Sequence, residues 1–103
     1  MTFTITQDAD AATWKLAGEL DVAEADGLID RIGGVSEGDV RLDLRELSFI
    51  DSSGVRAFVT IAGMLPMGSK LILHEPTRTV RRVLDLVGIQ ETAAGIELDA
   101  GSA

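Results

Sequence analysis

The stretch L-D-L-R-E-L-S-F-I-D-S-S-G, residues 42–54, contains a change of period. Leu42 and Leu44 alternate with charged neighbours, as a strand does when one face meets a core and the other meets water. Leu47, Phe49 and Ile50 carry the apolar run up to Asp51. From about Ser52 onward Val55, Phe58, Val59 and Ala62 recur at helical spacing, so a strand passes directly into a helix. A strand followed by a helix needs a crossover to reach its next partner, and that predicts parallel pairing.

Working outward, the same alternation recurs. Phe3 and Ile5, then Trp14 and Leu16, alternate with polar residues around turn chemistry at positions 8–10, which predicts an antiparallel hairpin whose second strand closes at Gly18. Asp21 opens a helix carrying Val22, Ala25, Leu28, Ile29 and Ile32. Asp21 with Glu24 three residues later has the form of a capping box, and Gly33 with Gly34 ends the segment. Val40 joins Leu42 and Leu44 in the next strand. Downstream, Leu71–Leu73 form a short apolar strand between Lys70 and His74. Pro76 suits the first turn of a third helix with the stripe Val80, Val83, Leu84 and Val87 before Gly88. Ile96 and Leu98 make a last, weak strand, and residues 100–103 read as a frayed tail. The expected fold is a small α/β sandwich: a mixed, mostly parallel sheet with an N-terminal antiparallel hairpin and three to four helices, in one domain over residues 1–103.

Composition narrows the function. With 46% hydrophobic and 25% charged residues and only two prolines, the chain has the make-up of a folded domain, not a disordered one. The net charge of −8 has the wrong sign for phosphate backbones or anionic lipid, so nucleic acid and membrane surfaces are poor partners. All of that charge belongs to residues 1–51, because residues 52–103 are neutral. The absence of cysteine excludes thiolate metal sites and thiol chemistry. No apolar run is long enough to span a bilayer, so the expected location is the cytoplasm with no membrane insertion. Nothing in the chain calls for a cofactor or a metal.

The junction at residues 51–54 offers two readings. In one, Asp51, Ser52 and Ser53 only cap a helix. In the other, Ser52 is an exposed acceptor: a phosphate there adds about −1.5 to −2 charge in the favourable field of the helix start, while a partner packed on the spot meets a bulky anion beside Asp51. Such a switch alters binding without unfolding. Asp21 likewise is either a simple N-cap or a partner contact.

The run Phe49-Ile50-Asp51-Ser52-Ser53-Gly54-Val55, with Leu42-Asp43-Leu44 before it and Gly18-Glu19-Leu20-Asp21 some thirty residues upstream, resembles the STAS domain of bacterial anti-sigma factor antagonists. The resemblance extends from the first hairpin to Gly88. It implies a partner-switching regulator. The unphosphorylated antagonist binds an anti-sigma factor that is also an ATP-dependent serine kinase, a sigma factor is freed, the kinase phosphorylates the serine, and a phosphatase resets the cycle. The serine implied is Ser52, with Ser53 a lesser hydroxyl. Asp51 orients the loop, Gly54 gives the kinase backbone room, and Asp21 and, less directly, Glu19 touch the partner.

The segment from Gly63 to Gly68 departs from that pattern, because Pro66 stops the second helix and leaves Met64, Leu65 and Met67 apolar near the surface. Either they fold back as a lid on the core, or they form a self-association surface and the protein is a homodimer. Two competing functions remain. One is a non-switching module of the same family, such as a subunit of a lipid-transport ATPase or a scaffold component. The other is a serine hydrolase pairing Ser52 with His74, against which stand the missing Gly-x-Ser-x-Gly elbow and the lack of a visible third residue to orient His74. Asp43 and Glu46 are expected to form a solvated surface with Arg41 and Arg45. Arg78, Arg81 and Arg82 form a solvated face that can steer an acidic partner.

Overall fold

The computed structural model describes residues 3–10, 12–33 and 38–99. The elements follow in the order β1 (Phe3–Gln7), β2 (Thr13–Leu20), α1 (Val22–Ile32), β3 (Val40–Ile50), α2 (Ser52–Met64), β4 (Leu71–His74), α3 (Arg78–Leu86), α4 (Ile89–Thr92) and β5 (Ile96–Asp99). The five strands form one sheet in sequence order, antiparallel between β1 and β2 and parallel thereafter. The expected mixed α/β fold is therefore the fold observed. The frayed tail and Gly34 lie outside the described residues.

Asp10 makes the hairpin turn, accepting the backbone N–H groups of Ala12 and Thr13 and the Thr13 hydroxyl. One sheet face is apolar from β2 to β5: Trp14 lies opposite Leu42, Leu42 opposite Leu73, and Leu73 opposite Leu98. Leu28 and Ile32 of α1, Phe58 and Ile61 of α2, and Val80 and Leu84 of α3 complete this core. Arg31, in the last turn of α1, lies over the Trp14 ring at 5.5 Å. The other face is an ionic row in which Lys15, Asp43, His74 and Asp99 follow one another across four strands.

Several boundaries differ from the sequence reading, each for a physical reason. Gly18 does not close β2, which runs on to Leu20; its φ of 99° marks a bulge inside the strand. Against β2, the longer β3 inserts an extra residue twice, so its buried positions go from a spacing of two at Val40, Leu42 and Leu44 to a spacing of three at Leu47 and Ile50. The bulges turn Phe49 outward, 42% exposed, although it is a large apolar side chain in the run that leads to Ile50. Ser48 pairs with no residue of β2 in the register and donates its hydroxyl to the Gly18 carbonyl at 2.9 Å.

Pro76 lies outside α3. Thr77 is the N-cap instead, its hydroxyl accepting the Val80 N–H at 3.3 Å and donating to the Leu47 carbonyl at 3.2 Å. That second bond fastens the start of α3 to the part of β3 that extends past the end of β4. In the α2 stripe, Ala57, Phe58 and Ile61 are fully buried, whereas Val55, Val59 and Ala62 are its half-buried flank. Val87 ends α3 exposed at 44%.

The Met64–Met67 segment is a lid only in part. Leu65 packs on the core, its extended backbone set by the proline that follows. Met64 lies across Gly33, where a Cβ would meet the Met64 Cε at 2.6 Å and the Ile29 carbonyl oxygen at 2.7 Å; Gly33 keeps an ordinary helical φ of −63°. Met67 is wholly in solvent.

Candidate functional site

The register brings Leu20 beside Ile50, so the parallel strands β2 and β3 end level and hand over to α1 and α2 side by side. Both helices begin on an aspartate. Asp21 accepts the Ala23 N–H at 3.0 Å, and Asp51 accepts those of Ser53 at 2.9 Å and Gly54 at 3.2 Å. The Asp51 N–H donates to the Leu20 carbonyl at 3.3 Å, which ties the two caps together. Glu19, Asp21, Asp51, Ser52, Ser53 and Gly54 thus converge at one sheet edge.

Their roles within that cluster differ. Ser52, the first residue of α2, is exposed, and its hydroxyl has no partner among the described residues. Ser53 is half-buried and lines a groove of about 290 Å³ between α1 and α2, together with Val22, Ala25, Asp26, Ile29, Arg56 and Thr60. Gly54 faces inward. A Cβ there would meet Ile50 Cγ1 at 2.6 Å and Leu20 Cγ at 2.9 Å, so in the free protein this glycine lets α2 sit against the strand ends. Val22 at 72% exposure, in the groove with Ser53, and Phe49 at 42%, just before Asp51 in the chain, add apolar surface at this junction. The sequence reading missed both. Val22 sits immediately after an N-cap, where nothing yet covers it, and Phe49 is turned outward by bulges that strict alternation does not anticipate.

His74 belongs to a different place. It pairs with Asp43, while the Ser52 junction lies beyond Ile50. Five steps of β2 at its usual rise separate those two register levels, about 17 Å. The serine and the histidine therefore do not meet, and the hydrolase pairing fails on distance. His74 is nevertheless oriented: Nδ1 lies 2.8 Å from Asp99 Oδ2, Nε2 lies 2.9 Å from Glu75 Oε2, and Arg41 Nη1 lies 3.2 Å from Nδ1. Glu75 holds a left-handed φ of 49°, and its N–H donates to the Asp99 carbonyl at 2.6 Å. The missing third residue was legible only in the register, because His74 and Asp99 close neighbouring parallel strands.

Asp43 also departs from the solvated surface expected of it. It is 7% exposed and binds Arg45 through both oxygens, at 3.0 Å to Nε and 2.7 Å to Nη2, and this guanidinium holds its carboxyl below the usual carboxylate range. Glu46 pairs instead with Lys15. Among the described residues no group of three His, Asp or Glu side chains is arranged to hold a metal ion, and no helix is long and apolar enough to cross a membrane.

Comparison with known proteins agrees with this layout. The STAS domain family model matches residues 2–103. An anti-sigma-B factor antagonist of Bacillus subtilis is 30% identical over 79 residues, covering 74% of this chain and 72% of its own length. The crystal structure of an anti-sigma factor antagonist from Mycobacterium paratuberculosis superposes with a TM-score of 0.74 at 22% identity, over 98% of this chain and 86% of the other. The unphosphorylated form of the anti-sigma factor antagonist SpoIIAA gives a TM-score of 0.66 at 22% identity, over 98% and 90%.

Proposed function

The chain belongs to the STAS domain family, and from that premise we propose that it is an anti-sigma factor antagonist switched by phosphorylation of Ser52. The unphosphorylated protein binds an anti-sigma factor with serine-kinase activity and so releases a sigma factor. Phosphate on Ser52 ends that binding, and a phosphatase restores it. The chain itself is a binding module of the cytoplasm, and ATP chemistry belongs to the kinase.

The observation that carries this reading is the uncommitted hydroxyl of Ser52, set at the start of α2 while the carboxylates of Asp21 and Asp51 are spent on the helix caps. A kinase can take this hydroxyl without breaking an internal hydrogen bond. The exposed Val22 and Phe49 offer the apolar contact, and Glu19, Asp21 and Asp51 the charged contact, of a partner surface centred on the same residue. The relatives named above point the same way, one of them being known by its unphosphorylated form.

The energetic demand is modest. A phosphate that costs the interface about 3 kcal/mol by repulsion and lost contacts weakens binding roughly a hundredfold. Ser52→Ala and Ser52→Asp variants, used in parallel as baits in native extract, test the reading. Capture of an ATP-binding serine kinase by the alanine bait and its loss from the aspartate bait is the expected result. Equal capture of the same proteins by both overturns it, and makes the chain a constitutive interaction module.

A further inference from the structure

A phosphate on Ser52 enters a neighbourhood with few unused donors. The Ser53 and Gly54 N–H groups are held by Asp51 Oδ1, and the Val55 N–H by the Asp51 carbonyl. The helix start therefore has little left with which to solvate an anion. The carboxylates of Glu19, Asp21, Asp51 and Asp26 gather at this sheet edge and the adjoining groove. The helix dipole favours the phosphate, but the nearby carboxylates oppose it unless a cation faces it.

Only one ionisable side chain occurs in the thirteen residues of α2, and it is Arg56. It lies four residues after Ser52, on the same helical face one turn on, where side chains at i and i+4 meet. The order of charges, anion toward the N-terminus and cation one turn later, is the favourable one for the helix dipole. Arg56 is exposed and has no ion-pair partner among the described residues, in contrast to Arg41, Arg45 and Arg81, which have carboxylate partners. A guanidinium on a flexible stem can fork onto two phosphate oxygens, which a lysine cannot do.

We infer that Arg56 is the internal counter-ion of phosphoserine 52: on phosphorylation its guanidinium closes onto the phosphate and holds it against α2. This rests on the reading of Ser52 as the phosphorylated residue. In the unmodified protein Arg56 stays open along the α1–α2 groove, available to a partner. In the modified protein it is withdrawn, so one phosphate changes two features of the surface.

The test installs phosphoserine at position 52 during translation, in the full chain, so that it does not depend on finding a kinase. The phosphorus-31 resonance of the phosphate is titrated in wild type, Arg56→Lys and Arg56→Gln, and the Arg56 Nε–H resonance is followed with and without the phosphate. The expected result is a second ionisation that moves up by about 0.3 pH unit in Arg56→Gln, a twofold change, with Arg56→Lys in between and the difference removed by 1 M salt. The Arg56 Nε–H signal shifts only when the phosphate is present. Coincident titration curves for wild type and Arg56→Gln, or an Nε–H signal indifferent to the phosphate, overturn the inference and leave the phosphorylation reading standing. A kinase screen that never modifies Ser52 sinks that reading instead and leaves this pairing measurable.

Discussion

Ser52 and His74 stand at the two ends of one sheet edge, each where a parallel strand stops, and their surroundings are opposite. Around His74 every polar group has a partner: Asp99 and Glu75 take its two nitrogens, Arg41 bridges to Asp99, and Asp43 is bound by Arg45. Around Ser52 the carboxylates of Asp21 and Asp51 are committed to backbone caps, while the Ser52 hydroxyl and Arg56 have no partner among the described residues and Val22 and Phe49 are exposed. The first end is complete within the chain. The second end leaves a hydroxyl and a guanidinium that the proposed partner or phosphate would engage. Titratable clusters attract attention, but here the saturated cluster is the structural one and the sparse junction is the functional candidate.

Substitutions can break or sharpen that contrast, beginning with the largest effect. Gly54 forms the buried floor under Ser52, and Gly54→Ala forces a Cβ against Ile50 and Leu20; it should cost about 1–3 kcal/mol in chemical denaturation. Asp51→Ala removes the acceptor of two N–H groups and should cost about 1–2 kcal/mol, more than Asp21→Ala, which removes the acceptor of one. If the two losses are equal, the caps are not acting through these bonds.

At the other end, His74→Gln should cost about 1 kcal/mol of stability and leave Ser52 phosphorylation and partner capture unchanged. A loss of capture would join the two ends that the distance separates. Acid should act on the His74 end as well. Because Arg45 lowers the Asp43 carboxyl, the stability this pair contributes is present above the ordinary carboxylate value, about pH 4, and drains as the pH falls through the lower folded value. Urea midpoints measured across the acid range should therefore fall less steeply in Asp43→Asn than in wild type. The smallest effect belongs to Ser52→Ala, which should stay within about 0.5 kcal/mol of wild type because its hydroxyl bonds to nothing among the described residues.

Much of this was legible from residues alone, where the signal is local. Alternation at Val40, Leu42 and Leu44 marked a strand, the helical recurrence beyond Ser52 marked α2, and Asp51 and Asp21 stood at caps that the structure shows as N–H acceptors. Each of these depends on groups within a few positions of one another, so sequence order carries the geometry. The convergence of Glu19, Asp21, Asp51 and Ser52 was expected only through resemblance, and the register of β2 on β3 is what realises it.

What sequence could not carry was decided by pairing between distant segments. Two bulges exist only as a mismatch between β2 and β3, so neither strand announces them, yet they turn Phe49 outward and change the buried spacing from two to three. The inward turn of Gly54 depends on Leu20, thirty-four positions earlier, and the assignment of Asp99 to His74 depends on β5 lying beside β4. Period, caps and turns are properties of a segment and follow from its own residues. Register, facing and the choice of which charges cancel are properties of the packed whole, because burial acts on surfaces that meet only after the chain has folded.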